Sequence, residues 1–153
     1  MQTTFFTKQH IQIIEEASDW KDAVRLSLKP LLDTGCVKSC YAEGVIRNTL
    51  EFGPYYMILP GVALIHGRPE QGAEQSALAV TRFRKPVDFG SDSAPVRVLI
   101  AMSATDSDSH MEDMRALSFI LTDEALVEKV MNASSTEEIY EVFTSAGTDP
   151  EKS

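Results

Sequence analysis

Several residue patterns that mark large protein classes are missing from this chain. It has only two cysteines, Cys36 and Cys40, among 153 residues. That number is too small for a disulfide framework and fits a reducing compartment. No other cysteine or histidine lies at zinc-site spacing from them, so we expect two buried or half-buried thiols and no metal. No Walker motif, Rossmann fingerprint or G-x-S-x-G elbow occurs, and no motif requires a cofactor.

Positive charge is also scarce. Lysine and arginine together number 14 against 23 acidic residues, which gives a net charge of -9 and a pI near 4.7. Phosphate backbones are bound by clustered cations, so non-specific nucleic-acid binding and attachment to an anionic membrane surface are both disfavoured. The charge instead suits electrostatic steering toward a basic partner protein.

Long hydrophobic runs are absent as well. The longest one, residues 55–65, is interrupted by Pro60-Gly61 and falls short of the roughly 20 residues that a membrane helix needs. The first six residues carry neither a basic region nor a long apolar core, so no secretory signal is expected. We therefore expect a cytoplasmic protein.

Short apolar runs predict about five strands. They lie at residues 11–14, 55–59, 62–65, 77–83 and 96–104, and residues 85–90 look like a turn. The segment 96–104 is almost wholly apolar, which indicates a strand buried on both faces by helices. The predicted fold is a single-domain three-layer α/β/α sandwich with a mixed sheet, spanning residues 1–146 before a flexible tail at 147–153.

The predicted helices alternate with these strands. Ser18 is expected to cap the first, Pro30 to kink it or end it near Lys29, and Gly35 to stop it. The others are expected at residues 39–52, from Ser109 onward with Met111 on its inward face, at 123–131, and from Ser135 onward.

His66 is the main candidate for chemistry. An apolar strand delivers it to a rigid position, and Gly67 follows, so another backbone or a phosphate donor could approach closely. The N–H groups of Gly67 and Arg68 are candidate ligands for phosphate oxygens. A neutral imidazole is a competent phosphoryl acceptor, and the phosphoramidate that forms stays reactive enough to pass the group on. The alternative is a structural or surface histidine, which is the commoner fate of a histidine after a strand.

His110 is the second candidate. With Ser109 as N-cap, it is the first residue of its helix, where the helix dipole favours a neutral imidazole and attracts anions. The alternative is a solvated histidine at a helix start. The acidic residues around it, Asp106, Asp108, Glu112 and Asp113, fit a solvated loop better than a metal site. His10 is expected at the surface.

An ordered set of motifs runs through the chain: Asp19-Trp20, Tyr41-Ala42-Glu43-Gly44, Ala63-Leu64-Ile65-His66-Gly67, Pro86-Val87-Asp88-Phe89 and His110. Together they resemble the IIA component of the bacterial sugar phosphotransferase system, in its mannitol–fructose superfamily (type 2 EIIA domains). Gly53-Pro54-Tyr55-Tyr56, Pro60-Gly61 and His66-Gly67-Arg68-Pro69-Glu70 look most like the ascorbate-type members.

The resemblance implies a phosphotransferase with a phosphohistidine intermediate. His66 would take the phosphoryl group from the histidine-containing phosphocarrier protein, with His110 as its active-site partner. A cysteine of a IIB component would accept it next, and the membrane IIC component would be reached only indirectly, for uptake of L-ascorbate or a related sugar. A homodimer stays open. The alternatives are a regulatory IIA-like module and a degenerate binding domain, since Ile65 stands where the family usually has proline.

The chain differs from the family at a second position, which supports the phosphate site in mannitol-type members. Mannitol-type members carry an arginine on the second helix where this chain has Asn48, next to Arg47. Either Asn48 takes a polar role in the site together with Gly67, or Arg47 pairs on the surface with Glu43 and Glu51. For Arg47 we favour the surface role.

Overall fold

One mixed sheet organises the computed structural model, which describes residues 6–52, 57–89 and 95–146, without the side chains at 52, 57, 107–110, 112, 113, 145 and 146. Its strands are β1 (Ile11–Ile14), β2 (Met57–Leu59), β3 (Val62–His66), β4 (Ala77–Val87) and β5 (Val96–Ser103). They are ordered β1-β4-β5-β3-β2. The β1–β4 and β3–β5 pairs are parallel, whereas β4–β5 and β2–β3 are antiparallel.

Helices cover both faces of the sheet. They are α1 (Trp20–Asp33), α2 (Cys40–Phe52), α3 (Ser107–Leu121), α4 (Glu124–Met131) and α5 (Thr136–Glu141). Leu99 and Ala101 of β5 pack in one apolar cluster with α1 and α2. Ile100 and Met102 pack in another cluster with α3, α4 and α5. Strand β5 is thus buried on both faces, which confirms the predicted three-layer sandwich. Among the helices of the described ranges, none is long and apolar enough to cross a bilayer.

The start of α1 lies one residue later than predicted. Asp19, and not Ser18, is the N-cap, since its Oδ1 accepts the N–H of Asp22 at 2.8 Å. Asp22 in turn accepts the N–H of Ser18 through Oδ2 at 2.9 Å. Both residue types are good caps, but a carboxylate also interacts favourably with the positive end of the helix dipole.

Pro30 neither ends α1 near Lys29 nor prevents its last turn, because the helix continues to Asp33. A proline lacks the N–H that would bond to the carbonyl four residues earlier, here that of Leu26. The side-chain amide of Gln12 in β1 supplies the missing donor, with Nε2 2.6 Å from that carbonyl oxygen. Nε2 also donates to Oγ1 of Thr81 in β4 at 2.9 Å. A sheet residue therefore makes an internal helix proline tolerable.

Removal of the hydrogen bond between Gln12 and the Leu26 carbonyl should lower the stability of the fold measurably. Gln12→Met keeps the side chain's length but removes both hydrogen bonds, leaving the Leu26 carbonyl without its donor. We expect the free energy of unfolding to fall by about 1–3 kcal/mol, because two half-buried hydrogen bonds are lost at about 0.5–1.5 kcal/mol each. Urea unfolding followed by circular dichroism measures it. The matched control is Gln9→Met at an exposed position, and equal losses in the two variants would refute the role of Gln12.

Two other predictions for the second half of the chain are wrong. Residues 85–87 belong to β4 instead of a turn, with Val87 paired to Val96 of β5. Met111 is 69 % exposed, so it does not lie on the inward face of α3. The predicted start of α5 is confirmed, since Ser135 is its N-cap and accepts the N–H of Glu138. Helix α4 begins at Glu124, and its N-cap Asp123 accepts the N–H groups of Ala125 and Leu126.

Candidate functional site

His66 is the last residue of β3 and is half-buried. Its neighbour Ile65 is fully buried in the cluster formed with α1 and α2. Because side chains alternate along a strand, His66 lies on the opposite face with Leu64, which packs in the cluster of α3, α4 and α5. Isoleucine before the histidine is therefore a core residue that fits the strand, and the imidazole is directed to the side that carries α3.

His110 is the fourth residue of α3, not the first, because the helix begins at Ser107. It remains in the first turn, where backbone N–H groups lack helical partners. The side chain of His110 lies outside the described residues, so the predicted contact with His66 stays a prediction. The backbone places both positions at one edge of the sheet, since β3 and β5 are parallel, His66 is paired with Met102, and α3 begins shortly after Ser103.

The peptide group after His66 is held by a buried tyrosine. Tyr41, the second residue of α2, is fully buried, and its hydroxyl oxygen accepts the N–H of Gly67 at 2.7 Å. The same hydroxyl donates to the carbonyl of Met102 at 2.9 Å. A Cβ at position 67 would lie 3.0 Å from Cε1 of Tyr41, so glycine is needed here for the approach of this ring.

The next peptide group is held by a pair of amide side chains. Gln71 accepts the N–H of Arg68 through Oε1 at 2.8 Å. Asn48 donates to the same oxygen at 3.0 Å and accepts from Nε2 of Gln71 at 3.2 Å. Asn48 is 8 % exposed. The N–H groups of Gly67 and Arg68 thus already bond to side chains of this chain, which does not leave them free as the candidate phosphate ligands that the sequence suggested.

Arg47 is exposed on α2, as expected for a surface residue. Its predicted partner Glu43 binds Arg25 of α1 instead, with the two atoms Nε and Oε1 3.0 Å apart. The hydrogen bond and the charge of Glu43 raise the pKa of Arg25. Of these two neighbours on α2, Asn48 is the buried one, and it bonds to Gln71 in the turn that follows His66.

His10 is a correction to the sequence interpretation. It is fully buried, with Nδ1 2.9 Å from the carbonyl oxygen of Leu78 and Nε2 2.9 Å from Oγ1 of Thr34. Since a carbonyl only accepts, Nδ1 carries a proton. His10 therefore connects the segment before β1 to β4 and to the end of α1, both of which are distant in the sequence. These contacts indicate a structural role.

The cysteines behave differently from each other. Cys36 is buried, as expected, but Cys40 is exposed at the start of α2. Within residues 6–52, 57–89 and 95–146, no group of three or more histidine, cysteine or acidic side chains is arranged to hold a metal ion. The side chains of Asp108, Glu112 and Asp113 lie outside the described residues.

A comparison with family models decides the broader identity. The model for the phosphoenolpyruvate-dependent sugar phosphotransferase system, EIIA 2, matches residues 4–146. The chain belongs to this family. It is a IIA phosphotransferase component, and such components act through a phosphohistidine.

The names of this chain's relatives do not agree on one sugar. A phosphotransferase IIA component of Escherichia coli (strain K12), SgcA, is 39 % identical over 85 % of this chain and 92 % of the relative. An ascorbate-specific EIIA component of Salmonella choleraesuis is 30 % identical over 87 % of this chain and 88 % of its own length. The relatives thus agree that the chain is a IIA component of a sugar phosphotransferase system, but they do not identify its sugar.

Solved structures support the same fold. The solution structure of the mannitol-specific cryptic enzyme IIA CmtB from Escherichia coli matches with a TM-score of 0.86 and 34 % identity, over 92 % of this chain and 95 % of that one. A complex of enzyme IIA and phosphorylated enzyme IIB for mannitol, also from Escherichia coli, contains a chain with a TM-score of 0.79 and 19 % identity, over 92 % and 98 %. At that identity the second match shows the fold alone.

Sequence reasoning missed two residues of this IIA site. Tyr41 was named only as part of a motif, and Gln71 was not singled out. A tyrosine predicted to be wholly buried is a usable signal, because its hydroxyl needs a hydrogen-bond partner inside the protein. Nothing local to Gln71 indicates its role, which depends on Asn48 from a distant helix.

Proposed function

We propose that His66 receives the phosphoryl group from the histidine-containing phosphocarrier protein and passes it to a cysteine of a IIB component. In the first step the P–N bond to the carrier breaks as one to His66 forms. In the second step that bond breaks as a P–S bond to the IIB cysteine forms. The observation that supports this most strongly is the half-buried imidazole at the end of β3, followed by two peptide groups that side chains hold in place.

In this proposal, the first turn of α3 stabilises the transferred phosphoryl group. Phosphoryl transfer depends on positioning and on stabilising charge at the phosphate oxygens. The N–H groups of Gly67 and Arg68 are already bonded within the protein. The first turn of α3 has N–H groups without helical partners and attracts anions. His110 in that turn is proposed to donate an N–H to a phosphoryl oxygen.

Asn48 supports the site indirectly in this account. It holds Gln71 through two hydrogen bonds, and Gln71 fixes the N–H of Arg68. The resemblance to mannitol-type members implies an arginine at position 48, where this chain instead has an amide that pairs with Gln71. The role that we propose for Asn48 is to shape the turn after His66, with Gly67 giving the close packing that this turn requires.

For the sugar, we propose L-ascorbate or a related acidic sugar. The support is the run from His66 to Glu70, which resembles the ascorbate-type members, together with the ascorbate-specific relative. The proposal includes a cytoplasmic location, where the carrier and the IIB component meet the chain. Uptake of labelled ascorbate and mannitol by vesicles containing the cognate IIB and IIC components compares the two substrates. Faster phosphorylation of mannitol would refute the choice of ascorbate.

The relay itself is tested with purified components. The chain is phosphorylated with phosphoenolpyruvate, enzyme I and the carrier protein, freed of them, and mixed with the cognate IIB. We expect an acid-labile phosphoryl group to leave this chain and appear on the IIB cysteine within seconds. Phosphorylation without transfer to IIB would contradict a transport relay and indicate a regulatory module. A folded chain that takes up no phosphoryl group would indicate a degenerate binding domain.

A further inference from the structure

The hydroxyl of Tyr41 bonds directly to the peptide group that joins His66 to Gly67, because the N–H of Gly67 belongs to that group. The orientation of this peptide fixes the backbone from which the imidazole projects. A side chain that holds it therefore restricts the directions in which the ring of His66 can point. Catalysis by positioning is sensitive to such restriction, since a displacement of about 1 Å can slow a reaction about 100-fold.

The same hydroxyl reaches the neighbouring strand. It donates to the carbonyl of Met102, the residue paired with His66 in the β3–β5 register. Strand β5 ends one residue later and leads into α3. One hydroxyl thus ties together the two strand ends that carry the proposed acceptor and its partner helix.

Tyr41 is itself rigidly placed. Its ring is fully buried in the core, with 0 % exposure, and its own N–H donates to the carbonyl of Lys38 at 3.0 Å. A buried ring in a close-packed core moves little, so its hydroxyl acts as a fixed point. The bonds to Gly67 and Met102 use its oxygen as acceptor and its proton as donor.

We infer that Tyr41 is a positioning residue for phosphoryl transfer, acting through the His66–Gly67 peptide and not by touching the phosphoryl group. This inference rests on the proposed function of His66. It concerns the rate of the transfer step, whereas a purely structural tyrosine would affect only stability.

The test compares Tyr41→Phe with wild type in single-turnover transfer from the phosphorylated carrier. The variant keeps the ring and removes the hydroxyl. We expect the rate at saturating carrier to fall about tenfold, with the carrier concentration at half-maximal rate changed less than twofold. A full rate in the folded variant would overturn the inference.

Two control variants separate positioning from stability. Tyr140 lies on α5, on the other side of the sheet, and its ring stacks on that of Phe6. Tyr140→Phe removes its hydroxyl and should transfer the phosphoryl group at the wild-type rate. Gln12→Met lowers stability at a distance and should also transfer at that rate while it is folded. If Gln12→Met slows transfer as much as Tyr41→Phe does, loss of stability explains the effect and the inference fails.

A measurement on the unmodified chain covers the case in which Tyr41→Phe does not fold. In a hydrogen-exchange experiment, the protection factor of the Gly67 amide should be within tenfold of that of the Leu99 amide in the centre of β5. Rapid exchange of the Gly67 amide would overturn the inference. Failure of the proposed function is recognised differently, by a wild-type chain that is not phosphorylated on His66.

Discussion

His66→Ala is expected to fold like the wild type and to accept no phosphoryl group from the phosphorylated carrier. The substitution removes the only atoms that can form the proposed P–N bond, so the loss should be complete and not a reduced rate. Folding should survive because the ring is half-buried at a strand end, while Ile65 and the rest of β3 stay in the core. Radiolabelled phosphoenolpyruvate with enzyme I and the carrier measures acceptance, and circular dichroism checks the fold.

The matched control is a second histidine. His10→Gln alters an imidazole that is fully buried between Leu78 and Thr34, away from the end of β3. We expect it to lose stability but to accept one phosphoryl group as the wild type does. Retained labelling of His66→Ala, or lost labelling of folded His10→Gln, would show that the acceptor has been assigned to the wrong histidine.

His110→Ala should slow phosphoryl transfer by about 100-fold without abolishing it. That size is typical when one preorganised donor to a developing negative charge is removed. The reason is the placement of position 110 in the first turn of α3, at the same sheet edge as His66. Stopped reactions analysed by phosphate-affinity gel electrophoresis give the transfer rate at saturating carrier.

Two further variants make this prediction specific. His110→Gln keeps an N–H donor and should recover part of the rate. Met111→Ala changes the adjacent, 69 % exposed residue and should leave the rate unchanged. An unaltered rate in His110→Ala would reduce this histidine to an ordinary residue of a helix start.

Patterns within single segments predicted most of the fold. The apolar run of β5 indicated burial on both faces, and Leu99 and Ile100 do lie in opposite clusters. The cap of α5, where Ser135 accepts a local hydrogen bond, was also predicted. In each case the interactions that decide the structure lie within a few residues.

Errors arose where a distant residue decides the outcome. Pro30 stays inside α1 because Gln12 from β1 serves the Leu26 carbonyl. His10 is buried because Leu78 and Thr34 satisfy its two ring nitrogens. No pattern around Pro30 or His10 contains that information.

The candidate site shows the same division. The position of His66 at a strand end followed by glycine was readable from residues 62–67, and the structure confirms that placement. The partners of the Gly67 and Arg68 N–H groups were not readable, because Tyr41 and Gln71 reach them from α2 and from a later turn. The chemical candidate came from the sequence, whereas the framework that orients it required the fold.

The position of the phosphoryl group on the wild-type chain decides whether His66 is the acceptor. Phosphorylated protein is kept at alkaline pH, where phosphohistidine survives, and fragmented by electron transfer in a mass spectrometer. We expect a single phosphoryl group, with its added mass on every fragment that contains His66 and on none that lacks it. A group on His10, on His110 or on a serine would contradict this assignment.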